Sequence, residues 1–355
     1  MARLRRACVL GWGGAAVSWQ LWHPAPEELR ARLVGCAAFL LLAAGAALYI
    51  RQCLLAELRR TREIAGAAQR ALLRPLPARL EGLAFAAAPL AAGREAVVGG
   101  DLYEAVATPY GVRVVIGDVR GHGPTALGAA AALLGSFREA AYDEPEPDGV
   151  LRRMERALER HLVERARGER AAGRGEAAEG AAAEEFATLL LLEISEDGTV
   201  RALNCGHPAP HRLRAAGGVR AGRGGSAVGT AELLTLGEPL PPLGVWPLPE
   251  GVEAHRCGRL LPGESLVLHT DGVAEARDAA GGYFPLRGAL AEAAGGAAAP
   301  SPAGLVAEVR AALLRHTGGR LADDAALLVV RNDRRAPPAS PSGQAVCRAA
   351  SPGGT

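Results

Sequence analysis

Lysine is absent from this 355-residue chain, and all 40 of its basic residues are arginine. Every chemistry that needs an ε-amine is therefore excluded, including a P-loop lysine, a Schiff base and the lysine of a protein kinase. Aromatic residues are scarce at 4%, whereas alanine, glycine, proline and arginine are abundant, a bias that reads as the codon usage of a GC-rich genome. The six cysteines, Cys8, Cys36, Cys53, Cys205, Cys257 and Cys347, are scattered without a C-x-x-C pair. A zinc knuckle, an iron–sulfur site and a disulfide framework lose support, and single thiols fit a reducing compartment. The net charge is only +2, with no polybasic stretch, so no nucleic-acid partner is expected. Neither G-x-S-x-G nor H-E-x-x-H occurs, which removes the serine-hydrolase elbow and the zinc-peptidase helix.

Two uncharged segments are present near the amino terminus. Residues Leu33–Ile50 form an unbroken apolar run that spans ~27 Å as a helix, enough for the hydrocarbon core of a bilayer. Ala7–Trp22 is shorter and glycine-interrupted, with Trp19 and Trp22 suited to an interface. Arg3, Arg5 and Arg6 precede the first segment, and Arg51, Arg59, Arg60 and Arg62 come after the second, while the connector balances two glutamates with two arginines. The positive-inside rule then predicts an N-terminal transmembrane hairpin over residues 1–50 (spans 7–22 and 33–50) in a bacterial cell membrane, with the downstream catalytic domain in the cytoplasm. The competing reading, a cleaved signal peptide, fits poorly with so long a second segment and no convincing cleavage site.

Residues 51–76 read as a juxtamembrane linker helix ended by Pro75 and Pro77. Within it Leu54, Leu58, Thr61, Ala65, Ala68 and Leu72 recur at a/d-type spacing, which suits either packing on the chain's own domain or a parallel homodimer through residues 51–73. From 77 to 331 strands and helices mix: a buried strand at Val112–Val119, an amphipathic helix at Leu151–Ala166, a hairpin through Ala187–Leu203, helices near 286–294 and 302–316, and a last strand at Ala325–Arg331. Residues 167–185 are low-complexity and predicted to be a flexible insertion, and 332–355 a disordered tail.

Acidic residues recur in one kind of place, beside glycine at strand ends: Asp101 in GGDLY, Asp118 in GDVRGHG, Asp271 in TDG, and the pair Asp323–Asp324 before the last strand. Short carboxylates at the ends of several strands can converge, and adjacent glycines let backbone approach closely. Converging carboxylates repel unless a cation sits among them, and an all-oxygen donor set selects a hard ion, Mg²⁺ or Mn²⁺.

In order along the chain, GGDLYE, IGDVRGHG, FATLLLLEI, NCGHPAP, PLG at 242–244, HTDGVAEAR and ADDAALLVVR resemble the motifs of the metal-dependent type-2C-like (PPM) protein serine/threonine phosphatases, in their bacterial SpoIIE/RsbU-type branch. The resemblance covers roughly residues 80–331. It implies an α+β fold, a four-layer αββα sandwich with the metal site at one edge. It also implies two Mn²⁺ or Mg²⁺ ions that generate a hydroxide for in-line attack on phosphoserine or phosphothreonine. Residue by residue, Asp118 matches the carboxylate that bridges both ions, the Val119 carbonyl a neighbouring ligand, Asp101 the aspartate of the first motif, and Asp271 and Asp323 later ligands. Asp101, Asp118 and Asp271 are thus the expected catalytic positions.

Asp324, His122, His207 and Gly100 are candidates for the layer behind the ligands, and Arg120 and Arg277 for contact with the phosphate. The hydroxyls of Thr188 and Thr270 are expected to satisfy loop hydrogen bonds. The resemblance points to a phosphorylated protein substrate, an anti-sigma-factor antagonist. The rival reading is a membrane-tethered pseudophosphatase that keeps the fold as a binding module, against which the full set of acidic positions speaks.

Overall fold

The computed structural model describes residues 29–90, 99–171, 173, 185–214, 229–295 and 300–334. They divide into two compact units, one ending at Arg60 and one beginning at Thr61. Helix α1 (Leu29–Leu72) forms the described part of the first unit and the opening of the second. Its window Leu40–Glu57 is long and apolar enough to cross a membrane, and none of that window is buried. It lies further along the chain than the run Leu33–Ile50, and Leu40, Leu41 and Leu42 stand open on it. The span expected at 7–22 lies outside the described residues. Of the a/d stripe, Leu54 and Ala68 are exposed and Leu72 is half-buried; the side chains of Leu58, Thr61 and Ala65 lie outside those described.

The second unit is built on two antiparallel sheets. One has six strands in the order β1 (Arg79–Leu80), β2 (Leu83–Leu90), β11 (Ala325–Asn332), β10 (Ser265–His269), β7 (His211–Arg214) and β8 (Thr230–Leu233). The other has five, in chain order: β3 (Gly99–Thr108), β4 (Gly111–His122), β5 (Ala187–Ile194), β6 (Thr199–Cys205) and β9 (His255–Arg259). Helices α2 (Pro124–Asp143) and α3 (Pro147–Ala171) cover the five-stranded sheet. A single turn, α4 (Asp271–Ala274), comes directly after β10, and α5 (Leu286–Ala294) and α6 (Pro302–His316) cover the six-stranded sheet.

Strand alternation explains the layering. On β11, Ala326, Leu328 and Val330 join the large core shared with the five-stranded sheet, while Ala325, Leu327 and Val329 join a second core beneath α5 and α6. Strands buried on both faces need continuous apolar runs, which is what VVI on β4 and LLLL on β5 supply. The fold is the α+β sandwich of two antiparallel sheets between helical layers that the motifs implied.

Several boundaries differ from expectation for identifiable reasons. Strand β4 runs on into the glycine-rich GHG as far as His122, because Gly99 of β3 pairs with His122 across an irregularity that leaves two extra residues on β4. Helix α3 continues to Ala171, into the stretch expected to be an insertion, where Arg165 pairs with Glu169 and with Glu185. The rest of that stretch, apart from Gly173, Glu185 and the last helical residues, lies outside the described residues, as does the tail from 335.

At the end of the sandwich where β11 finishes, the sheets are tied together. Asn332 Nδ2 donates to the Leu260 carbonyl, and Arg334 donates to the carbonyls of Glu81, Ser195 and Glu196. One arginine thereby joins the β1–β2 turn of one sheet to the β5–β6 turn of the other.

Candidate metal centre

The opposite end of the sandwich gathers the aspartates. Asp101 on β3 and Asp118 on β4 are direct cross-strand partners, with Tyr103 and Ile116 the next pair on the same face. Asp271 opens α4 straight after β10, and Asp323–Asp324 immediately precede β11, the neighbour of β10. Two hydrogen bonds lock these last segments together: Thr270 N donates to the Ala326 carbonyl (3.1 Å) and Ala326 N to Thr270 Oγ1 (2.8 Å). The Thr270 hydroxyl also donates to Asp101 Oδ2 at 3.3 Å, so one buried threonine spans the two sheets at the site.

Three glycines allow this convergence. A Cβ on Gly99 would fall 2.2 Å from Asp324 Oδ2, one on Gly100 2.0 Å from the Val119 carbonyl oxygen, and one on Gly272 2.0 Å from the Asp324 carbonyl oxygen. A side chain at Gly100 or Gly272 would meet the backbone of a neighbouring segment of its own sheet, and one at Gly99 would displace the Asp324 carboxylate that reaches across from the other sheet.

Asp101 lies in the field of Asp118, Asp324 and Asp271, and Asp118 in that of Asp271, Asp323 and Asp324. Burial pushes Asp101 well above the ordinary carboxylate range, and Asp118, Asp324 and Asp271 push it further, against the Thr270 hydrogen bond. Burial also raises Asp118, and Asp271, Asp323 and Asp324 add to it, reaching about 7. Asp324 acts on both strand aspartates and Asp323 on Asp118, so the second member of the pair is as much a part of the centre as the first.

Among the described residues no group of three acidic, histidine or cysteine side chains closes around a point as a finished ion cage. The donor chemistry nonetheless fits hard divalent cations, because crowded, partly buried carboxylates are destabilised until positive charge joins them. A proton on Asp118 competes with that charge. We expect the stabilisation of the chain by Mn²⁺, measured as the shift in thermal midpoint, to grow between pH 5 and pH 7.5. One displaced proton corresponds to about tenfold in affinity per pH unit below 7. An increment that is flat across this range would show that Asp118 is not protonated in the metal-free protein.

The remaining candidates divide. His207 is buried and lies behind Asp118: its Nδ1 is 3.0 Å from Oγ1 of Thr188, and Thr188 is the cross-strand partner of Asp118 on β5. Reciprocal hydrogen bonds with Asn204 fix the loop that carries it. Burial, then His269, lower its pKa to about 3, so it is a neutral ring. His122 contributes backbone pairing to Gly99, and its side chain lies outside those described. Arg120 is exposed beside the centre with its guanidinium over the Phe186 ring at 5.3 Å. Arg277 is turned onto Tyr283, stacking on the ring at 4.3 Å and donating to its hydroxyl.

Sequence reasoning missed the buried His269, which acts on His207, and the buried His211, whose ring lies 5.7 Å from that of His269. The close approach expected of the glycines beside the aspartates is present at Gly99, Gly100 and Gly272.

A family model described as stage II sporulation protein E (SpoIIE) matches residues 108–333. Among solved structures, the PP2C domain of SiaA from Pseudomonas aeruginosa aligns at a TM-score of 0.53 with 18% identity, covering 80% of this chain and 98% of that one. The RsbU and RsbW domains of Rv1364c from Mycobacterium tuberculosis align at 0.52 with 21% identity, covering 72% of this chain and 61% of that one. This chain thus spans less than two thirds of the latter's length. No curated protein matches the sequence.

Proposed function

Because the chain belongs to the SpoIIE family, we propose that it is a metal-dependent protein phosphatase acting on phosphoserine or phosphothreonine of a regulatory protein, with an anti-sigma-factor antagonist as the substrate class. The observation that carries this reading is the shared field of Asp101, Asp118, Asp271, Asp323 and Asp324 at one edge of a PP2C-type sandwich. It also speaks against the pseudophosphatase reading, since the acidic set is complete.

Asp118, Asp101, Asp271 and Asp323, with the Val119 carbonyl, would hold two Mn²⁺ or Mg²⁺ ions, and Asp324 would steady the set. Bound there, the ions supply a water of lowered pKa and neutralise the phosphoryl oxygens. The chain's own part is to hold the carboxylates in place: Thr270 fixes Asp101 across the sheets, and the Thr188–His207 pair backs Asp118. Arg120 stands exposed at the rim, where its fork suits a phosphate or an acidic flank of the substrate.

The test is hydrolysis of p-nitrophenyl phosphate and phosphoserine peptides by the full chain in detergent. Turnover is expected with Mn²⁺ or Mg²⁺ and its loss with chelator; turnover that persists in chelator would sink the metal-dependent mechanism.

We also propose that α1 tethers the enzyme to the membrane, on the strength of its exposed apolar window Leu40–Glu57. The full chain is expected in the membrane fraction and to need detergent for extraction, resisting high salt and carbonate. Extraction by salt alone would leave the helix without a bilayer role. If the stripe at 51–73 pairs two copies, crosslinking in membranes gives a dimer that Leu54→Glu with Leu58→Glu dissolves.

A further inference from the structure

Between β8 and β9 the chain makes a loop that is pinned at both ends. Leu243 exchanges two backbone hydrogen bonds of 2.9 Å with Ala187 at the start of β5. Five residues on, Leu248 N donates to Glu155 Oε1 at 2.6 Å, and Arg152 Nη2 donates to the Pro249 carbonyl at 2.9 Å, both partners lying on α3. Leu243 and Leu248 are buried. Between these anchors Trp246 is 68% exposed and Val245 39%. Trp246 is the sole tryptophan of the chain beyond residue 22, and it stands at a bend that follows the turn at Gly244–Val245. A segment held this firmly, with its largest apolar side chain outside the core, is built to present that side chain.

The loop adjoins the metal edge. Gly244 lies against Glu185 and Phe186, where an added Cβ would be 3.1 Å from the Glu185 carbonyl oxygen and 3.5 Å from the Phe186 Cα. The Phe186 carbonyl accepts from Arg120 N, and Arg120 is two residues beyond Asp118. Backbone contacts thus lead from the strand of Asp118 through Arg120 and Phe186 to Gly244, two residues before the exposed Trp246.

We propose that Trp246 is a specificity-determining contact that receives an apolar side chain flanking the phosphoserine of the protein substrate. This rests on the phosphatase reading above and adds to it the chemistry of the sequence around the phosphate. Exposed tryptophan is the residue most suited to anchor a partner, through a large rigid face with little entropy to lose. A bilayer is the less fitting occupant, since among the described residues of this loop Val245 is the only other large apolar side chain that stands exposed, and an inserting surface needs a broader apolar face.

The experiment uses the full chain in detergent with Mn²⁺ and two phosphoserine peptides that differ in carrying leucine or aspartate two residues to either side of the phosphoserine. Wild type should prefer the leucine peptide about tenfold in kcat/KM, chiefly through KM, as expected when most of one leucine is buried on an aromatic face. Trp246→Ala should reduce that preference to below about twofold, and Trp246→Phe should keep most of it. Absence of preference in the wild type, or its persistence in Trp246→Ala, overturns the proposal. So does a Trp246→Ala variant that keeps the preference but loses retention on phosphatidylcholine–phosphatidylglycerol vesicles, which would assign the tryptophan to the bilayer. Failure to hydrolyse either peptide or p-nitrophenyl phosphate would instead bring down the phosphatase reading, and this proposal with it.

Discussion

Asp118→Asn abolishes turnover at saturating Mn²⁺, with kcat falling by more than about 10³-fold, equivalent to roughly 4 kcal/mol of transition-state stabilisation. The substitution keeps the volume of the side chain and its place opposite Asp101 and Thr188, so the sandwich is not disturbed. What it removes is the charge on which the other carboxylates act. The same loss of charge has the opposite effect on stability. Because burial and neighbouring aspartates raise Asp118 to about 7, the metal-free native state binds a proton that the unfolded chain releases near pH 4. Stability from this group is therefore fully present below pH 4 and is lost as pH rises through 7. In chelator at pH 8 the asparagine variant should melt above the wild type while remaining inactive. An inactive variant that melts lower at pH 8 would trace the lost activity to misfolding, and one that retains a tenth of wild-type turnover would remove Asp118 from the mechanism.

Glu193→Ala has the largest effect expected on folding. Arg113 on β4 is fully buried, and its guanidinium forks onto Glu193 Oε2 at 2.9 and 2.7 Å, the two residues being cross-strand partners. The remaining donors reach the carbonyls of Ala141, Glu144 and Pro145, where α2 ends and turns towards α3. Removing the carboxylate strands a buried guanidinium, which typically costs about 3–5 kcal/mol, a large part of the stability of an ordinary domain. Arg201, which holds the other oxygen of Glu193 from a partly exposed position, should cost only about 1 kcal/mol as alanine. Urea denaturation of the three proteins checks this. Equal losses for Glu193→Ala and Arg201→Ala would mean that water reaches Arg113.

That arginine illustrates what the sequence conceals. The run VRVVIGDV reads as a buried strand, and it is one, yet nothing local says whether its arginine points to solvent or to the helical layer. The answer lies in register: Arg113, Glu193 and Arg201 sit opposite one another on three successive strands. One charged residue in each of three strands carries meaning only once the pairing is known. The aspartates were legible for the opposite reason, since each is tied to glycine at a strand end and the motifs come in a fixed order. Which of them touch is a matter of two sheets meeting, and so the contact of Asp324 with Gly99 and Gly272 emerged only in three dimensions. Trp246 was silent for want of any periodic pattern in a proline-rich loop.

The ties made by Asn332 and Arg334 have a mechanical consequence. They fasten the two sheets at the end remote from the aspartates, through side-chain donors on main-chain carbonyls that need no ion. At the other end the five carboxylates push one another apart across the same inter-sheet seam, with Thr270 as a slender stitch. On the metal-dependent reading, the sandwich would be a clasp with an ion-independent hinge and a latch that divalent charge tightens. Bound ions would then hold strands of both sheets together at the aspartate edge, and chelation would loosen that edge while the hinge stays shut. Amide protons of Gly99–Leu102 and Thr270–Val273 would then exchange faster on chelation, while those of Ile194 and Val330 keep their protection.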